Sequence, residues 1–207
     1  MTSQLSLTLP GDKAPSKAQK KRRAGQSTKP VRTDWATPKH IVRALERRLG
    51  ITFDLDACAQ QKTAKAPRWF DGKRAATDGL IQPWNARHVW CNPPFGAAIP
   101  YWAEKLTKEL DKGFCAGGSD VVAFCVPPRS DTRWWHYLRR SPYFVAQVDV
   151  DGRIAYEIDG QPQDQNNAPT VILIFARPGA LDVESLGTPI RVLTISADAQ
   201  DGQPTLF

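Results

Sequence analysis

Cysteine and histidine are scarce in this chain, which has four cysteines and three histidines among 207 residues. No two cysteines are spaced as Cys-x-x-Cys, and the histidines form no cluster with them. These spacings predict neither a zinc site, nor any other metal site, nor a disulfide framework. The four cysteines are therefore expected to be buried, reduced thiols of a cytosolic protein.

Long apolar runs are also absent. No stretch approaches the roughly 18 apolar residues that a membrane-spanning helix needs, so no contact with a membrane is expected. The first eleven residues lack the charged start and apolar stretch of a secretory signal. Together these absences predict a cytoplasmic location.

Positive charge is concentrated at the start of the chain. Residues 1–32 contain eight basic residues and one acidic residue, whereas the remainder contains 20 of each. This segment is also rich in Ser, Thr, Pro, Gly and Gln, which predicts a disordered basic arm. Such an arm attracts polyanions, and a merely solubilising tail is the alternative. The densest group of candidate phosphate ligands is Lys20, Lys21, Arg22 and Arg23.

Beyond the arm, strand patterns alternate with helix patterns. Thr37 and Pro38 are predicted to cap and begin a helix that ends at Gly50. Further helices are predicted over residues 57–65, along the stripe of Trp102, Leu106 and Leu110, and over 131–140. The predicted strands cover 51–56, 68–70, 88–91, 121–126, 144–150 and 171–175.

This alternation predicts an α/β domain over residues 33–195, followed by a flexible tail at 196–207. The sheet is expected to be mostly parallel, with an antiparallel element at its end, because the last two strands lie close in sequence. Ligands of such sheets bind beyond the carboxyl ends of the strands. Asp56, Asn92 and Arg129 each lie at or just past the carboxyl end of a predicted strand, so we expect them to face one crevice.

The loop Asn92-Pro93-Pro94-Phe95 directly follows a predicted strand. The Asn92 side chain and the Pro93 carbonyl could accept both hydrogens of an exocyclic amine, and so direct its lone pair toward an electrophilic methyl group. Two prolines would fix this arrangement in advance, which lowers a reaction barrier. Phe95 offers a flat face on which an extruded base can stack.

With this loop in place, the sequence resembles the phage-type DNA N6-adenine methyltransferases over roughly residues 33–177. The matching segments run in order along the chain: Asp34-Trp35-x-Thr37-Pro38, Leu55-Asp56-x-Cys58-Ala59, Asp78-Gly79-Leu80, Trp84, Val89 to Phe95, Pro127, Arg129-x-Asp131-Thr132-x-Trp134, Gly152-Arg153-Ile154 and Ala168-Pro169.

The resemblance implies a Rossmann-like class I methyltransferase fold, S-adenosyl-L-methionine as cofactor and DNA as partner. By the same resemblance Asn92 to Phe95 form the catalytic loop. Asp56 holds polar groups of the cofactor, and Asp78 approaches its adenine. The remaining residues implied at the cofactor are Trp35, Thr37, Pro38 and Cys58. If the protein is encoded by a phage, its location is the cytoplasm of the bacterial host.

Two features depart from the usual pattern. The turn after the first strand, Asp56 to Ala59, lacks the Gly-x-Gly of most methyltransferases of this fold. The fourth residue of the catalytic loop is Phe95 rather than tyrosine, which keeps the stacking face and loses a hydroxyl. Arg129 and Arg133 are expected near the mouth of the crevice, where they either contact DNA phosphates or start a solvated helix.

Several functions share this loop chemistry. RNA adenine, N4 of cytosine and the glutamine amide of a protein are also planar amines that an Asn-Pro-Pro loop could methylate. A catalytically silent DNA-binding relic is the alternative from another class. The basic arm favours a nucleic acid substrate over a protein.

The chain ends in Gln203-Pro204-Thr205-Leu206-Phe207. This ending resembles the short peptide by which DNA-processing enzymes bind the bacterial sliding clamp. In that mode Leu206 and Phe207 would fill an apolar pocket while Gln203 bonds to its edge. Folding of the two apolar residues back onto the domain is the alternative, because short motifs often match by chance.

Overall fold

A computed structural model describes residues 35–158, 161–162, 169–186 and 192–196. The predicted basic arm with Lys20, Lys21, Arg22 and Arg23 lies outside the described residues. So does the C-terminal motif of Gln203, Leu206 and Phe207. No helix in the described part of the chain is long and apolar enough to cross a membrane.

The strands of the described residues are β1 Leu55–Asp56, β2 Arg68–Trp69, β3 His88–Cys91, β4 Val121–Val126, β5 Phe144–Asp151, β6 Glu157–Ile158, β7 Gln161–Pro162, β8 Val171–Ala176 and β9 Val192–Ser196. Seven of them form one sheet in the order β2-β1-β3-β4-β8-β5-β9. Strand β8 runs antiparallel to both of its neighbours, and every other neighbouring pair is parallel. A separate two-stranded hairpin joins β6 to β7.

In the described part of the chain, three α-helices flank the sheet: α1 Lys39–Leu49, α2 Ile99–Lys112 and α3 Arg133–Arg139. Strands β4 and β8 are buried at every residue, as expected for continuous apolar runs at the centre of a sheet. Their alternate side chains enter two separate cores. Val121, Ala123 and Cys125 pack on the face covered by α1. The other residues of β4 pack on the face covered by α2 and α3.

The chain order creates a switch point in the sheet. From β1 the chain continues to β2 on one side, and β3 then pairs with the opposite side of β1. Open α/β sheets bind their ligands in the crevice at such a point, beyond the carboxyl ends of the strands. Asp56 ends β1 and Asn92 follows β3, so both residues lie at this crevice.

The predicted α/β class with a mostly parallel sheet and a late antiparallel strand is confirmed. Residues 88–91 and 121–126 form strands with the bounds predicted. The first predicted strand, 51–56, is reduced to Leu55–Asp56, and the predicted helix over 131–140 to Arg133–Arg139. The hairpin β6–β7 and strand β9 were not predicted. Ser196, assigned to the tail by the sequence, is the last residue of β9 and pairs with Asp151.

The predicted helix over residues 57–65 is wrong, because the segment forms turns and bends. The Asp56 side chain accepts the backbone N–H groups of Cys58 and Lys65 at 3.2 and 3.0 Å. Those donors are therefore committed to a side chain rather than to a helical ladder. The start of α1 is also shifted, because Pro38 has extended dihedral angles and caps the helix without a side-chain hydrogen bond.

The prediction that all four cysteines are buried is wrong for two of them. Cys91 and Cys125 are buried, whereas Cys58 is half-buried and Cys115 is exposed. Cys115 is exposed because it lies in the short 3-10 turn that connects α2 to β4 at the surface. All four are free thiols, and no group of three or more possible metal ligands occurs in the described ranges.

Candidate active site

One cavity opens at the switch point of the sheet. Its wall contains seven residues that the sequence marked as site residues: Trp35, Thr37, Asp56, Cys58, Asp78, Asn92 and Pro94. Lys65, Asp71, Gly79 and Trp102 also line it and were not singled out beforehand. Of the three residues expected to face one crevice, the structure brings Asp56 and Asn92 together.

Arg129 does not belong to that wall. It is exposed, and its guanidinium lies 3.2 Å from the carboxylate of Asp131. Arg133 is likewise exposed at the first turn of α3. Pro38 and Pro93 are buried without lining the cavity, and Phe95 is half-buried beside it.

Asp56 is the buried acid of the cavity, with only 2% of its surface exposed. Burial raises the pKa of its carboxyl to about 6, and the two backbone N–H groups that it accepts oppose that rise. These two hydrogen bonds hold residues 58–65 around the carboxylate, which is a titratable group at the carboxyl end of β1.

Asp78 and Cys58 form the neighbouring part of the wall. The Asp78 carboxylate accepts the N–H of Leu80 at 2.8 Å and so shapes the turn that follows. Burial, with smaller contributions from the charges of Asp56 and Asp78, raises the pKa of the Cys58 thiol to about 12. The thiol is therefore neutral, which makes Cys58 a wall residue and not a nucleophile.

Gly79 is a point of close approach that the sequence did not single out, although it lies in a matching segment. A Cβ atom at this position would lie 2.1 Å from the Ala57 carbonyl oxygen and 3.0 Å from the Trp102 ring. The Trp84 indole donates to the Gly79 carbonyl at 2.8 Å. The backbone N–H of Trp84 in turn donates to the buried Glu109 carboxylate at 3.0 Å. These two hydrogen bonds of Trp84 connect the 78–80 segment to α2.

Asn92 is oriented by a hydrogen bond across the cavity. Its Nδ2 donates to the Trp35 carbonyl oxygen at 3.1 Å, which points Oδ1 the other way. Oδ1 is buried and has no hydrogen-bond partner among the described residues. A buried acceptor without a partner costs free energy, so its presence here indicates a donor supplied by a ligand.

Tyr156 joins the Asn92-Pro93-Pro94-Phe95 loop to Trp35 in the cavity wall and was missed by sequence reasoning. Its ring lies between those of Trp35 and Phe95, with centroids 6.2 and 6.1 Å away in edge-on geometry. It is almost fully buried, and its hydroxyl lies 3.1 Å from Oγ1 of Thr170. Its proximity to the matching segment Gly152-Arg153-Ile154 was the only available signal.

Residues 24–200 match the family described as DNA N-6-adenine-methyltransferase (Dam). The chain therefore belongs to this family, and its resemblance to the phage enzymes is confirmed.

Two curated phage proteins are similar to the chain, and both bear the name DNA N-6-adenine-methyltransferase. The protein of Haemophilus phage HP1 (strain HP1c1) is 24% identical over 143 residues, which cover 68% of this chain and 77% of the phage protein. The protein of Escherichia phage T1 is 25% identical over 161 residues, which cover 70% of this chain and 63% of that protein.

Proposed function

We propose that this protein transfers a methyl group from S-adenosyl-L-methionine to N6 of adenine in DNA. The observation that carries the proposal is Asn92 Oδ1, a buried acceptor without a partner, at the start of an Asn-Pro-Pro-Phe loop. Membership of the family and the names of the two phage relatives support the same reaction. The sheet with its switch point agrees with a Rossmann-like class I methyltransferase.

The catalytic loop would act on the substrate amine. Asn92 Oδ1 would accept one hydrogen of the adenine amine and the Pro93 carbonyl the other, which leaves the nitrogen lone pair free to react. Phe95, held by Tyr156, would support the extruded base. The amine loses its proton after methyl transfer, so the loop needs no strong base.

The cavity fits the proposed cofactor. It offers the buried Asp56 carboxylate for cationic or hydroxyl groups, and Asp78 next to Gly79, whose backbone packs closely against Ala57 and the Trp102 ring. Trp35 and Thr37 would flank the methionine part, as the resemblance implies. When bound, S-adenosyl-L-methionine supplies the electrophilic methyl group.

We also propose that exposed basic residues contact the DNA backbone. Arg129 and Arg133 lie in and just after the loop that follows β4, at the carboxyl edge of the sheet. The basic arm would add attraction that does not depend on sequence, since neutralised phosphates release counterions. The direct test of the proposed reaction is to identify the methylated nucleoside by mass spectrometry after the DNA has been digested.

Binding of the cofactor product S-adenosylhomocysteine is expected to weaken below about pH 6. Ionised Asp56 favours the ligand's donor groups, and protonation removes that attraction. Because burial raises its pKa to about 6 in the free protein, affinity should be constant above that pH. Below it, affinity should fall by up to about tenfold per pH unit. Calorimetric titrations between pH 5 and 7.5 measure this dependence.

Asp56→Asn is the control without a titrating proton. It keeps the shape of the side chain but accepts from one of the two backbone N–H groups rather than both, so its folding should be checked by circular dichroism. Its affinity should be lower and nearly independent of pH over the same range. An equally steep pH dependence in Asp56→Asn would assign the titration to another group.

A further inference from the structure

Lys65 is a buried cation in the cavity wall with little compensation. Only 2% of its side chain is exposed, and its Nζ lies 3.7 Å from Oε2 of Glu157. That separation is too long for a hydrogen bond. No other ion pair to Lys65 occurs within the described residues. Burial of an ammonium group is unfavourable unless close acceptors compensate for lost water. A ligand carboxylate would add a direct acceptor, which Glu157 at 3.7 Å does not supply.

The neighbours of Lys65 locate that anion at one end of the cavity. The backbone of Glu157 pairs with Ala36 through two hydrogen bonds of 2.9 and 2.8 Å. Ala36 lies between Trp35 and Thr37, and all three line the cavity together with Lys65. The Lys65 ammonium is thus linked through Glu157 to the part of the wall formed by residues 35–37.

Asp56 supplies the opposite charge on the same wall. Its carboxylate accepts the backbone N–H of Lys65 at 3.0 Å, so the two residues are direct neighbours in space. Their charges also influence each other, since each favours the ionised form of the other. The Asp56 carboxylate and the Lys65 ammonium form no direct ion pair, but both residues line one cavity, where the two charges complement the ammonium and carboxylate of a free α-amino acid group.

We infer that Lys65 binds the α-carboxylate of the methionine moiety of the cofactor, while Asp56 binds its α-ammonium. This inference rests on the proposed function, because it assigns a part of the same cofactor site. Burial lowers the pKa of Lys65, and a bound carboxylate favours the charged ammonium. The pair would therefore recognise the amino acid end of the ligand independently of its adenosine.

The test compares S-adenosylhomocysteine with S-adenosyl-3-thiopropylamine, the same molecule without the carboxylate. Calorimetry on the full chain should show that the wild-type protein binds S-adenosylhomocysteine about 10- to 100-fold more tightly, as expected for hydrogen bonds between charged groups. Lys65→Met should lose most of that preference, because only the ligand with the carboxylate loses a contact. Its affinity for the decarboxylated ligand should change by less than about threefold. Lys39→Met, which removes an exposed lysine near Lys65, should leave both affinities unchanged.

Equal affinity of the wild-type protein for the two ligands would overturn the inference, even if Lys65→Met failed to fold. An equal loss of affinity for both ligands in Lys65→Met, or no loss for either, would also overturn it. In each of these cases the proposed function stands, because the wild-type protein still binds S-adenosylhomocysteine. If the wild-type protein binds neither ligand, the proposed function fails and this inference fails with it.

Discussion

Asn92→Ala should lower the rate of adenine methylation by at least about 100-fold, the usual loss when one preorganised polar group is removed from a reacting centre. The substitution removes the buried Oδ1 that has no partner among the described residues and that we assign to the substrate amine. The rate should be measured in a single turnover with saturating S-adenosyl-L-methionine and DNA. A rate within about threefold of wild type would contradict the proposed role of the loop.

Asn92→Asp separates two effects of that substitution. Aspartate keeps an oxygen acceptor at the same place but cannot donate to the Trp35 carbonyl as Nδ2 does. If acceptance from the amine is what matters, Asn92→Asp should retain more activity than Asn92→Ala. If the rate instead depends on anchoring the Trp35 wall, the two variants should be equally slow.

Gly79→Ala should destabilise the fold by about 1–3 kcal/mol and weaken S-adenosylhomocysteine binding by more than about tenfold. The added methyl group would meet the Ala57 carbonyl at 2.1 Å, and backbone atoms cannot yield as a flexible side chain can. The bond from Trp84 to Gly79 further restrains the segment. Denaturant unfolding and calorimetric binding measure the two effects.

Gly72→Ala is the control for this prediction. Gly72 lines the same cavity, but a Cβ there meets nothing within 4 Å. Its cost should be limited to about 1–2 kcal/mol, the strain of placing alanine at a φ of 66°. If Gly79→Ala binds S-adenosylhomocysteine as well as Gly72→Ala does, the close packing of Gly79 against Ala57 has no role in binding.

The parts of the fold that could be predicted are those whose burial shows in the local pattern of apolar residues. Strand β4 is apolar at every residue because both of its faces are covered, and this apolar run is visible in the sequence. Helix α2 shows its buried stripe of Trp102, Leu106 and Leu110 at helical spacing. The segment after Asp56 could not be predicted, because a single buried carboxylate there takes the N–H groups of Cys58 and Lys65.

The candidate site divides in the same way. Asp56 and Asn92 could be predicted, since a polar residue at the end of a parallel strand lies at the edge where ligands bind. Lys65 and Tyr156 could not, because their burial depends on contacts with residues distant in sequence, such as Glu157 and Trp35. Arg129 shares the edge position but turns to Asp131, a contact that its place after β4 does not reveal.

The central claim is tested most directly by identifying the methylated product. The purified full chain should be incubated with DNA and S-adenosyl-L-methionine carrying a labelled methyl group. The DNA should then be digested to nucleosides and analysed by mass spectrometry. The account predicts labelled N6-methyl-2′-deoxyadenosine with the wild-type protein and very little with Asn92→Ala. Label found only in N4-methyl-2′-deoxycytidine, only in protein, or in no product at all would contradict it.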